Sequence, residues 1–446
     1  MGVNKQSARI KHHTSTTSGS FTVPASEDFT DGSWDKWDLA KSEIAVNDAD
    51  DTVFIRVGSN IRQIYPQGAS TGIFGISNGS GEYTFYTTIA LANTAAVSGD
   101  VVEFFADVEE TGATEWILKD GVNYNLNGHT YTLNNAGTSD AVTDNNVAVN
   151  CTIFNGTISR IGGSVASANT LTLHVDNTAS KVYLEGVKVL NDVATACRVE
   201  GYLNGGNIDS PYYALFVLGE AENVKSYSLS SRAIYVSGGD CYDCHGYSDG
   251  FYGIETGGAS NLINCTAFSS ASVAIFFASG TGVMQGCHGY SSSNYGILMT
   301  TGYAFNCSAF SSGSLAMRVD AAAEAHNCSA YSTVNYAVSA GGKLYNCSFQ
   351  SLAFSCVNLA GSMYNSSAFS QYNNSTGHAI VGNSADEVFN CMLEVTNASA
   401  YCLTGNASTV YYGENIFKGA TTTVNTGNIT QGQTNTPDTY GNILIG

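Results

Sequence analysis

Three carboxylic acids in the central part of the chain have the side chains that hydrolysis of a glycosidic bond needs: Asp249, Glu255 and Asp320. That reaction uses two carboxyl groups about 5–10 Å apart, one as a proton donor and the other as a base or nucleophile. Acids that are distant in sequence can cooperate only if the fold brings them together. The first question is therefore which residues lie side by side.

A six-residue sequence motif, repeated between Cys244 and Cys347, indicates which residues lie side by side. It consists of a turn-forming residue, a cysteine, two small or polar residues, an aromatic residue and a serine, as in NCTAFS at 264–269. The cysteines of successive copies are Cys244, Cys265, Cys287, Cys307, Cys328 and Cys347. They are spaced by 21, 22, 20, 21 and 19 residues. A period near 20 residues indicates a solenoid, in which each unit buries its apolar face on its neighbours.

The type of solenoid follows from what lies between the cysteines. Each repeat has a second motif, a small residue followed by an aliphatic one, as in Gly253-Ile254 and Ala274-Ile275. No segment has an apolar stripe at helical spacing over ten or more residues, and the fixed leucines of leucine-rich repeats are missing. Short alternating runs broken by Gly and Asn are typical of strands and turns. The sequence therefore predicts an all-β fold, a parallel β-helix with coils stacked about 4.8 Å apart.

The repeated motif also predicts which side chains are buried. The residue before the cysteine is usually Asn, which tolerates the left-handed conformation of a tight turn. After that turn, Cys265 and Ala267 are expected to point inwards, and Thr266 and Phe268 outwards, because free cysteine behaves as a small buried apolar residue. The opposite register, which buries the aromatic residues and exposes the cysteines, stays open at this stage.

In the favoured register, one aromatic residue per coil forms an outward column. Its members are Tyr247, Phe268, Tyr290, Phe310 and Tyr331. An exposed apolar strip of this length usually contacts another molecule. The column is therefore predicted to be either a subunit interface or a glycan-binding surface.

The repeat period also predicts which residues lie beside the three acids in the neighbouring coils. The positions one coil away from them hold no carboxylate: Ser270, Phe276 and Met299. No column of acids is therefore expected between residues 244 and 380, and the sequence predicts no catalytic pair within one chain. A catalytic site assembled between subunits stays open, with Asp249, Glu255 and Asp320 as its candidates.

Cysteine chemistry is the other possibility that the sequence raises. Cys241-Tyr242-Asp243-Cys244-His245 matches the pattern of covalent haem attachment. However, Cys244 belongs to the periodic column, so a packing role is predicted for it. Zinc needs four converging ligands, whereas cysteines in a column lie along a line. The sequence predicts no cofactor and no metal site.

Charge and composition limit the partners. The chain of 446 residues has a net charge of −20 and a pI near 4.5. Such a field repels phosphate backbones and anionic membranes, so binding of nucleic acid is not expected. No apolar run is long enough for membrane insertion. The N-terminus has no signal-peptide core, so synthesis in a cytoplasm and 12 free thiols are predicted.

The sequence divides into five segments. They are a flexible arm (1–20), a small N-terminal β domain (21–70), a linker (71–82), the β-helix (83–404) and a C-terminal capping segment (405–446). In the small domain, the alternating run at 53–57 and the turn at 58–60 predict a β-hairpin. Such a domain has too few apolar residues for a large core, so it is expected to fold against copies of itself or a partner.

Two segments resemble a known family. Residues 117–133, ILKDGVNYNLNGHTYTL, resemble the first coils of pectate-lyase-like right-handed β-helices. Residues 34–64, WDKWDLAKSEIAVNDADDTVFIRVGSNIRQI, resemble the virion-proximal segments of tailed-bacteriophage tail fibres and tailspikes. The resemblance implies a right-handed solenoid and virion attachment through the N-terminal domain, for which the candidate residues are Trp34, Trp37, Phe54, Ile55 and Arg56.

The resemblance also implies a function. A virion protein of this kind is expected to be a homotrimer that contacts other virion proteins and binds a host surface polysaccharide. Because acids are sparse and the net charge is −20, we expect binding of a neutral or zwitterionic glycan without cleavage. One alternative is a polysaccharide depolymerase, which as a lyase would have to use Arg318 or Lys343 as its base. The other is a head fibre or decoration protein that binds no receptor.

Overall fold

The structure of the protein is a computed structural model. It describes residues 72–405 with breaks at 78–82, 113–114, 136, 138, 163–169, 279 and 383–386, and short pieces at 10–13, 44–47, 52–57, 60–64, 411–419, 424–425, 433–434 and 443–445. The chain forms two compact units, Met1–Ala106 and Asp107–Gly446. None of the helices in these described ranges has the length and apolar character to cross a membrane.

The first unit contains the predicted hairpin. Its four-stranded sheet consists of Ile10–His13, Ile44–Asn47, Thr52–Val57 and Asn60–Ile64. The last two strands pair antiparallel, with Val57 opposite Asn60, so the hairpin is confirmed. Phe54, Ile55 and Arg56 lie on its first strand. Trp34 and Trp37 lie outside the described residues.

A second group of elements in this unit lies partly where a linker was predicted. It consists of the strands Phe74–Ser77, Tyr83–Tyr86 and Val101–Phe104 and the helix Ile89–Ala95. The strand at 74–77 pairs antiparallel with the other two. Phe74 is fully buried and packs edge-on against Phe104, with 4.9 Å between ring centroids. Two apolar residues at alternate positions, Phe74 and Ile76, thus form a strand in a segment otherwise rich in Gly and Ser.

The second unit is a parallel β-helix, as predicted. Sheet 1 contains Trp116–Ile117, Val142–Thr143, Leu173–Val175, Cys197–Val199, Leu215–Val217, Ile234–Ser237, Ile254–Gly257, Ile275–Phe277, the first parts of Ile297–Phe305 and Met317–His326, Val338–Ala340, Val357–Leu359, Ile380–Gly382, Leu403–Gly405 and Val424–Asn425. Sheet 2 contains Asn123–Asn125, the first parts of Asn150–Ile161, Lys181–Asn191 and Tyr202–Ser210, Glu220–Glu222, Asp240–Tyr242, Asn261–Ile263, Val283–Gln285, the second parts of Ile297–Phe305 and Met317–His326, Lys343–Tyr345, Ser362–Tyr364, Glu387–Phe389 and Tyr411–Gly413.

Sheet 3 completes each coil. It contains Val108–Thr111, Thr130–Asn134, the second parts of Asn150–Ile161, Lys181–Asn191 and Tyr202–Ser210, Lys225–Ser228, His245–Ser248, Thr266–Ser269, His288–Ser291, Ser308–Ser311, Ser329–Ser332, Ser348–Ser351, Ser367–Ser370, Met392–Val395, Ile416–Lys418 and Ile443–Ile445, with Gln433–Thr434 pairing beside the last. The chain passes through sheets 1, 2 and 3 in that order. Strands at 416–418 and 443–445 thus continue the parallel pairing into the segment predicted as a cap.

The predicted register is confirmed. Cys265 is fully buried and Ala267 is 1% exposed, whereas Thr266 and Phe268 are half-buried on the outside. All 12 cysteines are buried and free. Parallel pairing aligns each position with its counterpart in the next coil, for example Phe268 with Tyr290. Columns of Ile, Val, Leu, Met, Ala and Cys therefore fill the interior.

Two repeated polar residues make the corners of the coil. The residue before the ladder cysteine is in the left-handed conformation, with φ of 54° at Asn264, 55° at Asn306 and 54° at Asn327. At the other end of the sheet 3 strand, a fully buried serine satisfies the backbone of the turn. The Ser291 hydroxyl donates to the carbonyl of Ser272 and accepts the N–H of Asn294 at 2.9 Å.

Candidate functional site

The predicted aromatic column lies on the outer face of sheet 3 as a continuous stack of rings. Tyr227 extends it by one coil, because its ring centroid lies 5.3 Å from that of Tyr247. The next centroid distances are 4.7, 5.3, 4.5 and 5.5 Å, and they join Tyr247, Phe268, Tyr290, Phe310 and Tyr331. The interplanar angles of these four pairs range from 9° to 31°.

This geometry decides which part of each ring can meet a ligand. Because each inner ring lies against the rings of the coils before and after it, its two faces are occupied. The ring edges and the tyrosine hydroxyls are what reaches solvent, and Tyr247 and Tyr290 are 41% and 43% exposed. The column therefore offers an apolar edge with hydroxyl groups, not a row of free ring faces.

A polar column runs parallel to the rings, two residues earlier on each strand. Its members are His245, Thr266, His288, Ser308, Ser329, Ser348 and Ser367. The imidazole Nδ1 of His288 is hydrogen-bonded to the Ser308 hydroxyl. The two columns line a shallow groove of about 390 Å³ between Thr266 and Gln350. Alternating hydroxyl and apolar strips of this kind suit a ligand that has many hydroxyl groups and C–H surfaces.

The same face is uncharged over several coils. On the sheet 3 strands from His245–Ser248 to Ser367–Ser370, the outward positions hold no Asp, Glu, Lys or Arg. The chain as a whole carries −20. A neutral face on a strongly acidic protein favours a ligand without net negative charge.

Sequence reasoning missed a second aromatic column, on the outer face of sheet 2. It consists of Phe305, His326, Tyr345, Tyr364 and Phe389. Successive centroids are 4.7–6.4 Å apart, and the rings are nearly parallel. Its residues lie two positions before the ladder cysteine or its replacement, so a fixed offset from the cysteines was the available signal. Charged groups flank it, including Lys343 with its amino group 3.3 Å from Glu324.

The structure places the three candidate acids apart, each with its own partner. Asp249 follows a sheet 3 strand and accepts a 2.6 Å hydrogen bond from the Tyr227 hydroxyl. This bond holds the pKa of Asp249 below its ordinary value and raises the pKa of Tyr227 to about 12. A general acid needs the opposite shift, so Asp249 is suited to a structural role in this chain.

Glu255 lies on the outer face of sheet 1, between Tyr235 and Phe276 of the neighbouring coils. Its carboxylate forms an ion pair with Arg232, and the two side chains are 13% and 22% exposed. Four rings surround the guanidinium at 5.1–5.7 Å: those of Tyr213, Tyr235, Phe251 and Tyr252. The carboxylate thus neutralises a cation enclosed by aromatic rings.

Asp320 pairs with a residue of its own strand. Its Oδ1 accepts a hydrogen bond from Nε of Arg318 at 2.8 Å. Arg318, one of the two bases considered for a lyase, therefore has its guanidinium directed to Asp320, and this bond raises its pKa further. Lys343, the other base considered, pairs with Glu324.

A group of charged residues near the start of the solenoid was also missed. It contains His174 and Arg198 on two neighbouring strands of sheet 1, Asp176 and Glu200 directly after these strands, and Asp140 beside them. The strands are 24 residues apart in sequence because the turns here are longer than in the regular repeats. The available signal was the alternation His-x-Asp followed by Arg-x-Glu at the ends of these strands.

The chain matches no family model and no curated protein. Two solved structures are similar to it. The ORF18 protein of Geobacillus virus E2 has a TM-score of 0.29 and 10% identity, covering 87% of this chain and 73% of that one. The A-module of a mannuronan C-5 epimerase from Azotobacter vinelandii has a TM-score of 0.28 and 11% identity, covering 73% of this chain and 87% of that one. At these TM-scores the likeness supplies no argument about function.

Proposed function

We propose that the protein binds an extended, neutral or zwitterionic glycan along the outer face of sheet 3 and does not cleave it. The observation that supports this most directly is the uncharged groove, in which a column of hydroxyl groups runs beside a column of aromatic edges. The five coils from Tyr247 to Tyr331 repeat the same pair, an aromatic edge beside a hydroxyl or imidazole group. A polymer of repeating sugar units can therefore make similar contacts in each of these coils.

The proposed contacts follow from the chemistry of the two columns. Ser308, Ser329 and Ser348 donate to and accept from sugar hydroxyls, because each hydroxyl can do both. The edges of Tyr290 and Tyr331 pack against the C–H surface of the sugar, and their phenol groups add further hydrogen bonds. Each contact is weak, so useful affinity comes from several coils binding one chain together.

The biological setting that we propose is a phage virion. The protein is a tail-fibre or tailspike subunit that assembles as a homotrimer, attaches to other virion proteins through its N-terminal domain, and binds a polysaccharide of the host surface. Two observations support this setting. Residues 34–64 resemble the virion-proximal segments of tailed-bacteriophage tail fibres and tailspikes, and the structure contains the hairpin expected at 52–64.

The proposal is tested by binding the full chain to neutral, zwitterionic and anionic polysaccharides on a biosensor. Neutral or zwitterionic chains should bind and anionic ones should not. The double variant Ser308→Ala/Ser329→Ala should weaken binding at least tenfold, since each lost hydrogen bond contributes about 1 kcal/mol. The matched control is Ser339→Ala, which removes an outward hydroxyl from sheet 1. No binding to any polysaccharide, or equal loss in the control, would refute the proposal.

The same purified protein also distinguishes our proposal from three alternatives. If the sheet 3 face is instead a subunit interface, Tyr290→Lys will dissociate the oligomer; under our proposal it abolishes glycan binding and leaves the oligomer intact. If the protein is a depolymerase, incubation with a bound polysaccharide will release reducing ends or unsaturated products. An absence of both cleavage and adsorption to host cells would favour a head fibre or decoration protein.

A further inference from the structure

A compact polar cluster lies on the outer face of sheet 1, away from the sheet 3 groove. His174 pairs with Arg198 across two neighbouring coils, and Val175 pairs with Val199. Asp176 and Glu200 follow directly after these strands. In extended chain, residues two apart point to the same side. His174, Asp176, Arg198 and Glu200 therefore form a two-by-two block, with two members from each coil.

The orientation of His174 is fixed by a carboxylate behind it. Its Nδ1 is 2.8 Å from Oδ2 of Asp140, and the other oxygen of Asp140 accepts the N–H of Leu171 at 2.9 Å. Asp140 thus acts as the acceptor for the Nδ1 proton. The opposite nitrogen, Nε2, then carries the free lone pair when the imidazole is neutral. A histidine that donates one N–H to a carboxylate is typical of a metal ligand, because this bond sets the tautomer and the ring orientation.

The Nε2 atom of His174 faces two further carboxylates. It is shielded from solvent and has no hydrogen-bond partner among the described residues. Oδ1 of Asp176 is 3.5 Å away, too far for a good hydrogen bond. One ligand atom each from His174, Asp176 and Glu200 lies within 4.8 Å of the other two. A single ion can therefore contact all three after small side-chain rotations.

The cluster has an excess of negative charge that a divalent cation would neutralise. Asp140, Asp176 and Glu200 contribute three negative charges, and Arg198 contributes one positive charge through its ion pair with Glu200. With a neutral His174, the sum is −2. The side chains of the three ligands are 16%, 33% and 25% exposed, so solvent screens this charge only in part.

We propose that His174, Asp176 and Glu200 bind one divalent transition-metal ion, with Zn²⁺ as the first choice, and that Asp140 positions the histidine. One nitrogen and two carboxylate ligands suit Zn²⁺, which accepts both donor types and can take a water molecule as its fourth ligand, whereas Ca²⁺ prefers a larger number of oxygen ligands. Glu200 can bind the ion through the oxygen that is not paired with Arg198. The ion links two adjacent coils in the irregular part of the solenoid.

The test measures Zn²⁺ directly, by equilibrium dialysis of the full chain with elemental analysis. One tightly bound ion per chain is expected, together with an increase of the melting temperature in Zn²⁺ that is larger than in Ca²⁺. His174→Gln, Asp176→Asn and Glu200→Gln should each lose this ion. Asp140→Asn should weaken binding about 10–100-fold, as expected for a group that orients a ligand. Far-UV circular dichroism of the metal-free variants establishes that they are folded.

The control is His326→Gln, which removes a histidine beside one carboxylate, Glu324, at 3.4 Å. It should bind Zn²⁺ as the unchanged protein does. Substitution with Co²⁺ identifies the donors, because nitrogen and oxygen ligands give only weak visible bands whereas thiolates add strong near-ultraviolet absorption. The proposal fails if the unchanged protein binds no Zn²⁺, if His174→Gln binds it equally well, or if the Co²⁺ spectrum shows thiolate ligands.

Discussion

Tyr247 and Phe268 lie one coil apart with their ring centroids 4.7 Å from each other and their planes inclined by only 9°. Parallel strand pairing sets this distance, because it places the two residues directly beside each other in sheet 3. The same relationship recurs between the other members of the column. The stack therefore stabilises the solenoid at the same time as it shapes the proposed binding groove.

This double role predicts a graded loss of stability. Phe268 contacts a ring on each side, whereas Tyr331 has one ring neighbour, Phe310, because Gln350 follows it in the column. Each aromatic pair contributes about 0.5–1.5 kcal/mol beyond simple burial. Phe268→Ala should therefore lower the free energy of unfolding by about 1 kcal/mol more than Tyr331→Ala. Denaturant titrations of both variants measure this, and equal losses would mean that stacking contributes little.

At the left-handed corners we expect an unusual order of stability among variants, with glycine tolerated better than alanine. At Asn327, where φ is 54°, alanine should lower the free energy of unfolding by about 1 kcal/mol, because a Cβ without a compensating polar group is disfavoured there. Glycine should be nearly neutral, since it has no Cβ. Gly286 naturally takes this position in its own coil, with φ of 65°. Thermal melts of the two variants test the prediction, which fails if Asn327→Gly is the less stable.

The buried thiols predict a loss of stability in alkali. Burial raises the pKa of Cys391 from 9.0 to about 11. The contribution of this buried, neutral thiol to the free energy of unfolding is complete below pH 9 and is lost as the pH rises through 11. Over that interval only the thiol of the unfolded chain ionises, and this ionisation favours unfolding. Urea midpoints at pH 8, 9.5 and 10.5 should therefore fall progressively. Cys391→Ala serves as the comparison and should show a shallower decline; identical slopes would contradict the prediction.

The enclosed ion pair of sheet 1 predicts strong coupling between Arg232 and Glu255. Arg232→Leu should destabilise the protein by about 3 kcal/mol, because it leaves the carboxylate of Glu255 without its cation in a mostly buried position. Glu255→Gln in the same background should recover part of that loss. A double-mutant cycle in denaturant measures the coupling energy. Additive effects of the two substitutions would show that the pair is not energetically linked.

The proposed homotrimer predicts a simple hydrodynamic result. The chain mass is 46.8 kDa, and sedimentation equilibrium should give about three times that value. The physical reason is that a small N-terminal domain with few apolar residues needs copies of itself to bury an adequate core. A chain lacking residues 1–70 should then be monomeric while keeping its β-rich circular dichroism spectrum. A monomer at micromolar concentration for the full chain would disprove the trimer.

The sequence alone determined the fold class and favoured one register for the regular coils, and the buried Cys265 and Ala267 of the structure decided between the two registers. A 20-residue period can be satisfied only by stacking, and stacking makes each position a column. Asn264 indicated the corner, because Asn tolerates the left-handed conformation. Cys265 and Ala267 were the favoured interior positions, because free cysteine behaves as a small buried apolar residue. The absence of a carboxylate one coil from Glu255 followed from the same period, and the structure places Tyr235 and Phe276 there.

Only the tertiary structure decided how the side chains of different columns meet. The sequence placed Tyr247 and Phe268 on the outer face, but their ring planes depend on χ angles that parallel pairing restricts. Stacking occupied the ring faces and left edges and hydroxyls for a ligand. Likewise, Asp140, His174 and Glu200 come from coils with turns of unequal length. Their convergence depends on the three-dimensional path of those turns, which no fixed period in the sequence encodes.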